Sequence, residues 1–165
     1  MGFIEKLLQK KSVQVSISVF ICLLAGGIGS VFTTPSIPTW YAGLQKPWFN
    51  PPNWIFGPVW TVLYVLMGIA AYLIWQKGWK KAEVQVALAV FGLQLVLNTV
   101  WSIVFFGVHS LGGAFIFVVM LWLSILASII LFWRQVKIAA IILLPYIAWV
   151  SFAGFLNWVV WGLNG

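Results

Sequence analysis

The chain has 165 residues, 63% of them hydrophobic and only 7% charged, with a mean hydropathy of +1.06. That composition excludes an ordinary soluble domain. The net charge of +7 does not indicate nucleic acid, because the basic residues are placed as membrane topology signals.

Five apolar runs reach the roughly 20 residues that a helix needs to cross about 30 Å of hydrocarbon. They are Val13–Phe32, Trp54–Trp75, Val84–Phe106, Gly112–Trp133 and Ile138–Leu163. None alternates apolar and polar residues as a barrel strand does. The expected fold is therefore all-α, a single domain built as a bundle of five transmembrane helices with short, tight connections that make sequential helices antiparallel neighbours. Lys6, Lys10, Lys11, Lys77, Lys80, Lys81, Arg134 and Lys137 fall on one side of such a chain, and only Lys46 falls on the other. The positive-inside rule then puts the N-terminus in the cytoplasm and the C-terminus outside. The expected location is a prokaryotic cell membrane, and the first run is read as a span rather than a cleaved leader.

In chain order, the first span carries small residues four apart, Ala25/Gly29 and Gly26/Ser30, which allow close helix approach. Pro35 and Pro38 are expected to end it and open a loop over residues 33–53. Pro47, Pro51 and Pro52 restrict that loop further. An ordered loop of about twenty residues is usually functional, so it is read as a lid, with Trp48 and Trp54 suited to the interfacial belt.

Three spans carry polar and aromatic residues at steps of three and four, which keeps each set on one helix face. These are Trp60, Tyr64, Met67 and Ala71 in the second, then Gln94, Asn98, Trp101, Ser102 and Phe105 in the third. The fifth carries Tyr146, Trp149, Ala153, Leu156 and Asn157. Buried amides in hydrocarbon need partners, so Gln94, Asn98 and Asn157 either bond between helices or line a cavity. The stripes converge at a depth where indoles would wall a site beneath the lid for a flat apolar ligand. Pro145 removes a helix hydrogen bond and predicts a kink that widens the space.

Several chemistries are excluded. Glu5 and Glu83 are the only carboxylates and both lie outside the spans, so no membrane-embedded acid is available for proton coupling and no carboxylate pair for acid–base catalysis. No metal site is expected: Cys22 is the single cysteine and His109 the single histidine, the first read as packing and the second as a solvated loop residue. Ser124 and Ser128 are expected to bond back to their own helix.

Three blocks carry a resemblance: WYAGLQKPWFNPPNWIFGPVWTVLYVLMG at Trp40–Gly68, QLVLNTVWSIVFFG at Gln94–Gly107 and LPYIAWVSFAGFLN at Leu144–Asn157. In this order, over five spans, the chain resembles the translocator protein family, the tryptophan-rich sensory and peripheral benzodiazepine receptor proteins. The resemblance implies a homodimeric receptor or carrier for protoporphyrin IX or haem, and in some members for sterols and benzodiazepine-type drugs. No cofactor is required beyond the tetrapyrrole ligand. The family's pocket falls on Tyr41, Pro51, Phe56, Trp60, Tyr64, Asn98, Trp101, Trp149, Ala153 and Leu156; Tyr146 joins them from its place on the fifth-span stripe. Lys46 would steer the ligand's propionates. The resemblance also implies an alternative, light-dependent porphyrin degradation through Trp60 and Trp149, while a scaffold without a small ligand is a third reading. The sterol motif of animal members needs a tyrosine and then a basic residue, and Leu156–Gly162 has neither.

Overall fold

The computed structural model describes residues 10–165; Glu5 and Lys6 lie outside them. Five helices are long and apolar enough to cross a membrane: α1 (Lys11–Tyr41), α2 (Asn53–Trp75), α3 (Ala82–Gly107), α4 (Leu111–Trp133) and α5 (Lys137–Asn164). In lipid the backbone must satisfy its own hydrogen bonds, which is why each apolar run becomes a continuous helix. Among the described residues there is no strand, and the chain is an integral membrane bundle of five helices.

The helices close into a ring in the order α1, α2, α5, α4, α3. Although only residues 76–81 join α2 to α3, these two meet over a shorter stretch than either shares with α1. Glycine explains the closeness of α1 and α2: a Cβ on Gly68 would overlap the Val19 backbone, and one on Gly26 would overlap the Tyr64 ring. On the other side, Thr99 of α3 donates from Oγ1 to the Ala25 carbonyl at 3.2 Å.

The first helix does not stop at Pro35. It runs α-helically to Ser36 and then widens into a π-helical turn over Ile37–Tyr41. Proline's missing N–H is tolerated where the helix widens and side chains help to satisfy the backbone. Thr39 Oγ1 donates to the Pro35 carbonyl at 2.8 Å. The connection to α2 therefore covers residues 42–52 rather than 33–53, and Tyr41 is a helix-end residue. The third helix widens in the same way, over Ile103–Gly107.

The fifth helix breaks at Leu143, between Lys137–Ile142 and Leu144–Asn164. Pro145 opens the second segment, where its fixed φ and missing N–H cost least. The helix is thus interrupted at the place where the proline was expected to disturb it. Ser124 and Ser128 do bond back, to the carbonyls of Leu121 and Ser124, each at 2.8 Å.

Candidate functional site

A cavity of about 370 Å³ lies between α1, α2, α3 and α5, and none of residues 42–52 lines it. Phe56, Trp60 and Tyr64 of α2, Trp101 and Phe105 of α3, and Trp149, Ala153, Leu156 and Asn157 of α5 line it, together with Tyr41. Helical steps of three and four set each group on one face, and the ring order of the helices turns those faces inward. The aromatic rings touch one another around the space. Trp60 stacks on Tyr64 with centroids 5.7 Å apart and lies 6.3 Å from Trp101. Phe56 meets Trp149 edge-on at 6.2 Å.

One wall was not legible in the stripes. Gly26, Gly27, Ser30, Thr33 and Thr34 of α1 line the same cavity. Their small side chains read as a packing face, and they do pack at Gly26, but they also leave room. Gly27, Ser30 and Thr34 are exposed, as are Gly57 and Thr61 opposite them on α2. The cavity thus opens sideways between α1 and α2.

Of the expected site residues, Pro51, Asn98 and Tyr146 stand outside the lining. Asn98 and Tyr146 are fully buried behind it, at 2% and 1% exposure, and their polar atoms are spent within the protein. The Tyr64 hydroxyl donates to Asn98 Oδ1 at 2.5 Å, Asn98 Nδ2 donates to the Tyr146 oxygen at 3.1 Å, and the Tyr146 hydroxyl donates to Gln94 Oε1 at 2.7 Å. This relay ties α2, α3 and α5 together directly behind Trp60, so Asn98 is not free to orient a ligand's polar edge. A second pair of bonds joins α3, α5 and α4. Trp101 Nε1 donates to Asn157 Oδ1 at 3.2 Å, and Asn157 Nδ2 donates to the Leu111 carbonyl at 3.0 Å. Burying amides this way leaves few unmet polar groups in hydrocarbon. Two exceptions among the spans are Gln94 Nε2, at the end of the relay, and the Trp149 Nε1–H, each buried and meeting no acceptor among the described residues.

The 42–52 connection is held in place by contacts of Tyr41, Phe49 and Gln45. The Tyr41 hydroxyl donates to Asn50 Oδ1 at 2.6 Å. Phe49 stacks on Phe155 of α5, with centroids 5.6 Å apart and planes inclined by 19°. The Asn164 side chain accepts from the Gln45 N–H at 2.8 Å and donates to the Gln45 carbonyl at 2.9 Å. Trp48 and Trp54 point away, 94% and 74% exposed.

Lys46 does not reach outward to steer an anion. Its Nζ donates to the carbonyls of Tyr41, Ala42 and Leu44 at 2.7, 3.2 and 2.9 Å, because the last carbonyls of a helix lack intrahelical partners and a cation satisfies them. His109 is exposed but not merely solvated. It stacks on Trp40 at 4.2 Å and 13°, with Nε2 3.4 Å from Ser36 Oγ.

The model of the TspO/MBR family matches residues 18–162, which takes in every wall of the cavity and the whole 42–52 connection. The chain belongs to the TspO/MBR family. Among its relatives in that family, the tryptophan-rich protein TspO of Chlorobaculum tepidum is 40% identical over 157 residues, 95% of this chain and 99% of its own length. A protein of the same name from Archaeoglobus fulgidus is 42% identical over 148 residues, covering 89% of this chain and 94% of that one. The human translocator protein is 38% identical over 138 residues, 83% of this chain and 82% of its own. The family's architecture is thus carried by the full set of five spans rather than by a local motif.

Proposed function

We propose that this TspO/MBR family member is a membrane receptor or carrier that takes up protoporphyrin IX or haem in the cavity under its lid, acting as a homodimer. The single observation that carries the reading is the cavity itself: about 370 Å³ walled by indole, phenol and phenyl rings, whose local polar groups are largely paired with one another. Such a wall favours a flat, largely apolar ring system held by stacking. The buried Trp149 Nε1–H without an acceptor supplies a donor for a carboxylate or carbonyl at the ligand's edge. The side opening between α1 and α2 suits a ligand that partitions into lipid, and we read the 42–52 connection, which packs on α5 through Phe49, as a lid over the outer end. The orientation that accompanies this reading has the N-terminus in the cytoplasm of a prokaryotic cell.

Titration of protoporphyrin IX into the purified protein, followed by tryptophan quenching, tests it. Saturable quenching at one ligand per chain, with a melting temperature that rises at saturation, is the expected outcome. No saturation and no shift would return the bundle to the scaffold reading.

A light-dependent breakdown of the bound porphyrin is a second reading, favoured by the contact of oxidisable rings at Trp60, Tyr64 and Trp101. It requires porphyrin absorbance under light and oxygen to decay faster with the protein than in detergent alone.

A further inference from the structure

The opposite end of the bundle, away from the lid, carries a second cavity. It lies between the 76–81 connection and the residues that follow α4, occupies about 540 Å³, and is lined by Lys77, Lys81, Glu83, Val86, Leu131, Arg134 and Gln135. We propose that this cleft binds the phosphodiester headgroup of an anionic phospholipid whose headgroup also carries a hydroxyl, as phosphatidylglycerol does.

Three cations converge on it from two connections, against one carboxylate. Lys77 and Lys81 are brought to one side by a turn at Gly78, whose φ of 114° only glycine adopts readily; the Lys81 N–H closes that turn on the Gly78 carbonyl at 3.0 Å. Arg134 comes from the far wall, and a guanidinium matches phosphate oxygens in bidentate geometry. Between them Gln135 is fixed in orientation, since its Nε2 donates to the Glu83 carbonyl at 3.0 Å. Its Oε1 is buried and meets no donor among the described residues. An unspent acceptor beside three cations calls for a ligand that carries a donor as well as an anion.

The remaining lining distinguishes a lipid from a free phosphate. Val86, 55% exposed, and Leu131 sit one turn inside α3 and α4, so the cleft continues onto apolar helix surface that an acyl chain would follow. The exposed indoles of Trp79 and Trp133 stand at the same end, at the level where such rings meet headgroups. Basic pockets at a membrane surface attract anionic headgroups in this way. The inference is independent of what the upper cavity holds.

Native mass spectrometry of the purified protein tests it, with phosphatidylglycerol and phosphatidylcholine of identical chains as probes and inorganic phosphate as competitor. The expected result is one retained phosphatidylglycerol per chain. The Lys77→Gln/Lys81→Gln/Arg134→Gln variant should lower its affinity by about tenfold or more. A control with equal charge removed outside the cleft, Lys10→Gln/Lys80→Gln/Lys137→Gln, should change it by less than about twofold. Gln135→Leu should narrow the preference for phosphatidylglycerol over phosphatidic acid. The melting temperature of each variant reports its folding, and Arg134→Gln alone provides a second reading if the triple variant is unstable. Equal loss in the two triple variants, equal binding of phosphatidylcholine, or displacement of the lipid by inorganic phosphate at equal concentration would each overturn the proposal.

Discussion

The Tyr64 hydroxyl donates to Asn98 Oδ1 at 2.5 Å, and through that bond the ring that stacks under Trp60 is fixed to the third helix. Both polar atoms of the amide are engaged within the protein, since its nitrogen donates to Tyr146. Asn98 therefore acts on the cavity from behind, by holding its floor in one arrangement. Replacing it by leucine leaves the Tyr64 hydroxyl without its acceptor and takes one donor from the Tyr146 oxygen, which keeps its bond to Gln94, at a cost of about 1–3 kcal/mol. Asn98→Leu should lower the melting temperature clearly while weakening porphyrin affinity only moderately. A large loss of affinity with unchanged melting would instead place the amide in contact with the ligand.

The reciprocal clasp between Gln45 and Asn164 joins the lid to the last turn of α5. Asn164→Ala removes both bonds at once, and a net loss of about 1–2 kcal/mol is enough to raise the open population roughly tenfold. Hydrogen exchange at the Gln45 amide should quicken by that order. Porphyrin association and release should both accelerate, with the equilibrium constant changing less than either rate. Unaltered exchange at Gln45 would show that Phe49 on Phe155 and Tyr41 on Asn50 suffice to keep the lid closed.

Close packing of α1 and α2 depends on Gly68, where a Cβ has no room beside the Val19 backbone. Backbone cannot yield as a side chain can, so Gly68→Val should destabilise by about 1–3 kcal/mol through overpacking. Gly92, with nothing within 4 Å of its would-be Cβ, serves as the comparison. Thermal unfolding in detergent should separate the two, with Gly92→Val nearly unaffected.

Much of this was readable from residue order, for physical reasons. Apolar runs in lipid have no alternative to helix, so the five spans followed from the apolar runs, though the first helix runs on to Tyr41 rather than ending near Phe32. Steps of three and four put Trp60 with Tyr64 and Trp149 with Ala153 on shared faces, and these residues do meet around one space. What periodicity does not report is which polar atom a neighbour has already taken. Asn98, Tyr146 and Lys46 are spent on partners far along the chain or on a helix end, and only the assembled bundle reveals it. Nor does a proline state whether a helix stops or widens: Pro35 ends an α-helix in water, while here Ile37–Tyr41 continues as a π turn because the lipid-embedded backbone still needs its bonds. The small residues of α1 carried no chemical signal of their own, and their role as a cavity wall comes from the gap they leave.

The central claim is that the tetrapyrrole occupies the space between Trp60 and Trp149. Ala153 lines that space and Ala148, on the same helix, faces outward. The most direct measurement is the protoporphyrin IX dissociation constant of Ala153→Trp set beside that of Ala148→Trp, each checked for an unchanged helical spectrum. An indole at position 153 should fill the cavity and weaken binding by at least about tenfold, since it occupies the volume the ligand requires, while position 148 should leave it within about twofold. Undiminished binding in Ala153→Trp would contradict the account and move the porphyrin elsewhere on the protein.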